Sequence, residues 1–188
     1  MTEDFFKEAD AYHRSLGNMF DAFAKAEREL VHLLGKLVGL DHDMTNALLS
    51  GARADAAIGQ IRRVHRALKK ELPSALDFSL IQLKIISNDR NLLAHHGAIS
   101  SNRHGRVTSN WRVALPDVTM NEISVSPEQL DSMAQDLRTT VLVFDYLARQ
   151  GSPTGTEEFD QICGIALAEA EQNAWRYKST KVDQTLDQ

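Results

Sequence analysis

Apolar residues return along the chain at helical intervals, and they predict a mostly helical protein. Between residues 3 and 39 the interval alternates between four and three residues, a period of 3.5 that is typical of helices packed in bundles and coiled coils. This seam consists of Phe5, Ala9, Tyr12, Leu16, Met19, Phe23, Ala26, Leu30, Leu33 and Leu37. A helix of this length extends roughly 50 Å, which is more than a small bundle needs. We therefore expect a homodimer in which the overhang pairs with a second subunit, or else a bundle helix within one chain.

The rest of the chain divides into further helices and one segment without helical periodicity. Helices are predicted over residues 43–49, 55–71, 74–96, 126–150 and 157–177. Residues 98–125 instead contain β-branched, alternating stretches at 106–114 and 118–125. The pattern predicts an all-α bundle with a long N-terminal helix and a small β-hairpin insert at about residues 98–125. This helical domain spans residues 1–150, and a linker plus a C-terminal helix spans residues 151–188.

Composition and charge narrow the functional classes. A net charge of −5 at pH 7 argues against bulk electrostatic binding of nucleic acid, but it leaves room for a local basic surface. The single Cys163 excludes an internal disulfide and cysteine-rich zinc sites. The N-terminus is acidic and lacks the apolar stretch of a signal peptide, and no apolar run reaches the length of a membrane-spanning helix. A cytoplasmic protein without membrane association is expected.

A polar stripe runs along the most apolar of the predicted helices, residues 74–96. It consists of Lys84, Asn88, Asn91 and His95, whose spacing places them on one face. Arg90 starts about 100° away from Asn91 around the helix, and its long side chain can reach the same face. Arginine is a permanent cation that binds phosphate with a fork of donors, and histidine exchanges protons near neutral pH. The alternative is a structural pair, with His95 at the negative helix end and Arg90 paired to an acid on another helix.

The sequence RNLLAH at residues 90–95, at the end of an internal helix of an all-α chain, resembles the signature of the HEPN superfamily. That signature is an arginine, four residues and a histidine, often with a polar residue directly after the arginine. The resemblance implies a metal-independent endoribonuclease without a cofactor, in which a ribose 2′-hydroxyl attacks the adjacent phosphate and leaves a 2′,3′-cyclic phosphate and a 5′-hydroxyl end. Many members of the superfamily lack this activity and bind nucleotides or serve as interaction modules.

The same resemblance implies roles for three catalytic residues. His95 would be the general acid or base. Arg90 would hold the phosphate and stabilise the charge that develops on it. Asn91 would orient His95 or hydrogen-bond a phosphate oxygen, since residues four apart on a helix share a side.

A basic segment follows the motif. From Arg90 to Arg112 the chain has four arginines, three histidines and no acidic residue. Basic side chains interleaved with an aromatic residue suit a single nucleic-acid strand. The predicted RNA-binding residues are Lys84, His96, Arg103, His104, Arg106, Trp111 and Arg112. The alternative is a solvated hairpin whose Trp111 packs on the bundle.

The sequence lacks the residue patterns of metal catalysis, of glycine-rich phosphate binding and of serine-nucleophile hydrolases. His95 and His96 are adjacent, so their rings diverge on a helix, and neither an H-E-x-x-H pattern nor a paired-acid spacing is present. No metal site is therefore predicted. Glycine-rich phosphate loops and the Gly-x-Ser-x-Gly elbow are also missing. We expect RNA cleavage, as a toxin or defence effector with an antitoxin or other partner protein. The alternative is a non-catalytic module that binds RNA, a nucleotide or a protein.

Overall fold

Six helices and three strands make up the part of the chain that the structure, a computed structural model, describes. That part covers residues 2–96, 99–101, 105–109, 122–149 and 156–179, with side chains described for residues 9–95, 123–149 and 156–179. The helices are α1 (Thr2–Leu37), α2 (His42–Leu49), α3 (Ala54–Ala67), α4 (Ser74–His96), α5 (Pro127–Ala148) and α6 (Glu157–Glu171). The strands are β1 (Ile99–Ser101), β2 (Gly105–Ser109) and β3 (Glu122–Val125). The predicted all-α fold class is confirmed. None of these helices combines the length and the apolar character that crossing a membrane requires.

The N-terminal seam packs inside the chain. α1 lies along α5 and also contacts α2, α3 and α4. Its seam is buried or half-buried from Tyr12 to Leu33, and Met19, Ala26 and Leu30 have no solvent exposure. Burying a large apolar side chain of this kind stabilises the fold by about 1.5–3 kcal/mol. The bundle itself therefore uses the seam over this length. Pairing of the N-terminal overhang with a second subunit stays a prediction.

Hydrogen bonds in the first turn of α5 fix the residue at which this helix begins. The hydroxyl of Ser126 accepts the backbone N–H of Gln129 at 3.3 Å, and the side chain of Gln129 accepts the backbone N–H of Ser126 at 2.8 Å. This reciprocal capping box satisfies two donors that the helix itself leaves unpaired. The Ser126 hydroxyl also donates to Glu128 at 2.6 Å, which lowers the pKa of that carboxyl.

The insert between α4 and α5 is a three-stranded antiparallel sheet in the order β1-β2-β3, rather than the predicted hairpin. The described parts of the two predicted strands are β2 and β3, and they pair as expected, with Val107 opposite Ser124. β1, which the prediction missed, pairs with β2 through Ile99 opposite Val107. Three residues, two of them serine, are too short and too polar to show an alternating pattern.

The chain after α6 returns to the bundle as an irregular segment. The predicted helix extended to residue 177, but α6 ends at Glu171, and Asn173 adopts the left-handed conformation with φ of 51°. This C-terminal segment, residues 172–179, buries Trp175 and Tyr177 in the hydrophobic core. Because asparagine tolerates the left-handed region better than most residues, it ends the helix and turns the chain back toward α4.

Candidate active site

Arg90 lies between α4 and α1 with its guanidinium stacked on two aromatic rings. The central carbon of the guanidinium is 4.9 Å from the ring centre of Phe23 and 5.2 Å from that of Phe20. Attraction between a cation and the face of an aromatic ring contributes about 0.5–1 kcal/mol at partly exposed sites. The two rings hold the plane of the guanidinium and leave its N–H edge for other partners.

The edge of that guanidinium reaches the polar stripe of α4. Nη1 of Arg90 donates a hydrogen bond of 3.1 Å to Oδ1 of Asn91. This hydrogen bond shows that the side chain of Arg90 reaches around α4 as far as the polar stripe. Among the described residues Arg90 has no carboxylate partner, and its Nε is buried without a hydrogen bond. The predicted alternative of an arginine neutralised by an acid therefore has no support among these residues.

His95 is exposed at the end of α4, one turn beyond Asn91. The two residues are four positions apart, so they share a face and differ by roughly 6 Å along the helix axis. His95 is therefore accessible to a substrate, and it also lies where a histidine interacts favourably with the negative end of the helix. The motif thus presents a cation, an amide and an imidazole along one edge of the bundle.

Lys84, predicted to bind RNA, is paired in the structure. Its Nζ lies 2.6 Å from Oδ2 of Asp55, and both side chains are about half exposed. Exposed pairs of this kind contribute about 0–1 kcal/mol, so an incoming phosphate competes with Asp55 at little cost. Lys84 stands two turns before Asn91 on the same stripe.

The other predicted RNA-binding residues lie wholly or partly outside the described residues. Four of them lie entirely outside the described part of the chain: Arg103, His104, Trp111 and Arg112. The side chain of His96 also lies outside it. The backbone of Arg106 is in β2, opposite Val125. Their roles stay predictions.

Two buried carboxylates tie the C-terminal segment to the bundle behind the motif. Asp136 of α5 accepts hydrogen bonds from the side chain of Gln82 at 2.9 Å and from the backbone N–H groups of Arg176 at 3.0 Å and Tyr177 at 2.9 Å. Burial raises the pKa of Asp136, and these hydrogen bonds oppose the rise. Asp89, directly before Arg90, accepts a hydrogen bond of 2.7 Å from the hydroxyl of Tyr177.

Tyr177 stays protonated in this setting and therefore remains a donor. Burial and the nearby charge of Asp89 raise the pKa of its hydroxyl. Within the described part of the chain, the other oxygen of Asp89, Oδ1, is buried without a hydrogen-bond partner. The hydrogen bond from Tyr177 thus offsets part of the cost of burying this carboxylate.

A cleft of about 470 Å³ lies between α4 and the C-terminal segment. Its walls include Ile81, Ile85 and Asn88 of α4, and Asn173, Trp175 and Lys178 of the C-terminal segment. The cleft was not predicted from the sequence, because the helical pattern continues through Trp175 whereas α6 ends at Glu171. The signal that was present is the pair of aromatic residues, Trp175 and Tyr177, within an otherwise polar stretch.

A second cavity, of about 420 Å³, lies between α1 and α2. The rings of His32 and His42 meet edge to face there, with their centres 6.4 Å apart. Across residues 9–95, 123–149 and 156–179, no three histidine, cysteine or acidic side chains are grouped so as to hold a metal ion. Cys163, the one cysteine, is buried in α6.

Comparisons of the chain with models of known families, with curated proteins and with solved structures gave no significant match.

Proposed function

We propose that this protein is a metal-independent endoribonuclease whose active site is the C-terminal end of α4. The proposal rests on one observation above all: Arg90 is held by Phe20 and Phe23 with donors to spare, and an exposed His95 stands beyond it on the same helix. A cation without a carboxylate partner is suited to a phosphodiester. The HEPN-like motif in the sequence points to the same residues.

Each residue takes a role in transesterification. The ribose 2′-oxygen bonds to the adjacent phosphorus, the bond from phosphorus to the 5′-oxygen breaks, and a 2′,3′-cyclic phosphate and a 5′-hydroxyl end result. One proton leaves the 2′-hydroxyl and one arrives on the 5′-oxygen, and His95 carries one of these transfers. Arg90 stabilises the charge on the equatorial phosphate oxygens. Asn91 keeps the arginine aimed at the stripe through its 3.1 Å hydrogen bond.

Capture of the substrate falls to the basic segment that follows α4. Arg103, Arg106 and Arg112 would contact phosphates, and Trp111 would stack with a base. Lys84 joins them once a phosphate replaces Asp55. We propose that the enzyme works in the cytoplasm as a homodimer with the motif ends of two chains facing each other, as a toxin or defence effector controlled by a partner protein.

One observation favours a second candidate, a non-catalytic module that binds RNA, a nucleotide or a protein. Stacking on two phenylalanines gives Arg90 a role in joining α4 to α1, and that role needs no substrate. If this candidate is correct, replacing Arg90 should lower the stability of the fold. Replacing His95 should change neither the stability nor any cleavage of RNA.

Cleavage of RNA by the purified full chain, with His95→Ala as the test variant, separates the two candidates. The wild-type chain should cleave in EDTA and leave 2′,3′-cyclic phosphate ends, whereas the variant should fold normally and lose the activity. His65→Ala is the matched control, because His65 of α3 lies outside the motif and should be dispensable. Cleavage by His95→Ala at the wild-type rate would refute the enzymatic proposal.

A further inference from the structure

We propose that the cleft between α4 and the C-terminal segment binds one nucleotide of the RNA substrate, its base between the apolar walls and its phosphate at Lys178. That this nucleotide belongs to RNA rests on the proposed function. The binding of a free mononucleotide in the cleft does not depend on that function, because binding requires no cleavage. At about 470 Å³ the cleft falls within the range of roughly 300–1,000 Å³ that small-molecule sites occupy.

The apolar walls suit a flat ring. Ile81 and Ile85 stand one turn apart on α4, and Ile81 is 41% exposed although it is isoleucine. Trp175, which is only 6% exposed, lines the cleft from the C-terminal segment, and its indole Nε1 is buried without a hydrogen-bond partner among the described residues. Apolar contact of this kind favours every base, since each has a flat π face.

The polar groups suit the edge of a base and a phosphate. The amides of Asn88 and Asn173 both donate and accept hydrogen bonds, as the edges of the nucleobases also do. Lys178 is exposed and has no acidic partner among the described residues. A cation beside two amides and an apolar slot therefore matches a base carrying a phosphate better than it matches an uncharged apolar ligand.

The floor of the cleft is fixed before any ligand arrives. The amide of Gln82 donates to Asp136 at 2.9 Å and to the backbone carbonyl of Tyr177 at 3.0 Å, and all three residues are buried. These contacts hold α4, α5 and the C-terminal segment in one arrangement. A site that is already formed loses less free energy to ordering when it binds.

The cleft and the polar stripe of the candidate active site share one residue. Asn88 belongs both to the cleft and to the polar stripe that leads to Asn91 and His95. Seven residues separate Asn88 from His95, or roughly 10 Å along the helix. A strand whose scissile phosphate lies at His95 could follow the stripe to Asn88, so that the cleft would select a base near the cleaved bond.

Titration calorimetry of the full chain with the four nucleoside 3′-monophosphates tests this site. At least one nucleotide should bind with one-to-one stoichiometry and bind more tightly than inorganic phosphate or the matching nucleoside. Lys178→Ala should weaken binding about tenfold, as expected for loss of a charged hydrogen bond. Asn88→Ala should reduce the difference in affinity among the four bases. Lys36→Ala, which removes an exposed lysine outside the cleft, is the control and should change nothing.

A second readout uses the tryptophan in the wall. The indole N–H signal of Trp175 in the NMR spectrum, assigned with Trp175→Phe, should shift as the nucleotide is added. Absence of saturable binding, or binding that Lys178→Ala and Asn88→Ala leave unchanged, would overturn the proposal. Equal affinity for inorganic phosphate would also overturn it, because the base would then play no part. Nucleotide binding by a chain that cleaves no RNA would instead uphold the cleft and reject the proposed nuclease.

Discussion

The hydroxyl of Tyr177 donates a hydrogen bond of 2.7 Å to Asp89, the residue directly before Arg90. Both residues are buried, with 2% and 0% of their surface exposed. The C-terminal segment is therefore tied to α4 at the turn that carries the candidate catalytic arginine. Stability of this part of the bundle and placement of the motif depend on the same contact.

Removing that hydroxyl should destabilise the protein. Tyr177→Phe leaves Asp89 buried with no hydrogen-bond donor among the described residues, which costs about 1–3 kcal/mol. Urea unfolding of the full chain measures the change in the free energy of unfolding. Tyr146→Phe is the matched control, since Tyr146 is half-buried and its hydroxyl makes no hydrogen bond with the described residues. Equal effects of the two variants would show that the contact to Asp89 contributes nothing specific.

The pH dependence of stability should report on Asp136. Burial raises its pKa in the folded protein above the ordinary value of 3.8. Between pH 3.8 and this raised pKa, the folded state therefore holds a proton that the unfolded chain has already released. The stability that this proton contributes is complete below pH 3.8 and is lost as the pH rises through the folded pKa.

The variant Asp136→Asn removes this titration. It should be less stable than the wild type at acid pH by about 1–3 kcal/mol, because N–H groups point at both carboxyl oxygens and the amide nitrogen that replaces one of them cannot accept a hydrogen bond. The difference between the two proteins should shrink as the pH rises from acid to neutral. Denaturant unfolding over this pH range measures it, with the exposed Asp131→Asn as control. A difference that grows with pH would mean that the hydrogen bonds outweigh burial and lower the pKa.

Stacking of Arg90 on Phe20 should appear as a coupling in stability. In a double-mutant cycle that combines Phe20→Leu with Arg90→Met, we expect an interaction free energy of about 0.5–1 kcal/mol. Thermal or urea unfolding supplies the four values. The cycle that combines Phe20→Leu with Arg63→Met, a change on the exposed face of α3, should give a coupling near zero. An interaction free energy of zero in both cycles would show that stacking on Phe20 does not stabilise the position of Arg90.

Assembly can be tested at the motif end of α4. Sedimentation equilibrium should report a mass near twice 21.0 kDa for the full chain. Ala94→Arg places a bulky cation on the exposed surface beside His95 and should dissociate the dimer, whereas Ala56→Arg on the exposed face of α3 should not. A mass of 21.0 kDa that does not change with concentration would reject the homodimer.

Much of the fold follows from periodicity in the sequence, because local spacing determines which residues share a helix face. α4 was predicted with its observed bounds, and the reach of Arg90 to Asn91 followed from side-chain length and helix geometry. The rings that hold Arg90 could not be foreseen, since no local rule says which turn of α1 faces α4. Phe20 and Phe23 lie some seventy positions earlier in the chain.

The irregular conformation of the C-terminal segment was not predicted for a related reason. Its residues continue the helical pattern of α6, so local propensity favours a longer helix. Long-range partners decide otherwise: Tyr177 contacts Asp136 across 41 residues and Asp89 across 88. Tertiary hydrogen bonds to buried carboxylates outweigh a propensity that differs by only tenths of a kcal/mol per residue. The cleft that this segment forms with α4 was missed along with it.

The order of these partners along the chain has a consequence for biosynthesis. Asp89 leaves the ribosome 88 residues before Tyr177 does, which at usual elongation rates is a delay of roughly 4 to 18 s. During that time Asp89 has no C-terminal segment to cover it, and the cleft beside α4 has only one of its two sides. The end of α4 matures only when translation has passed Tyr177. If the protein cuts RNA as we propose, this order delays its first cut until the C-terminal segment has been made.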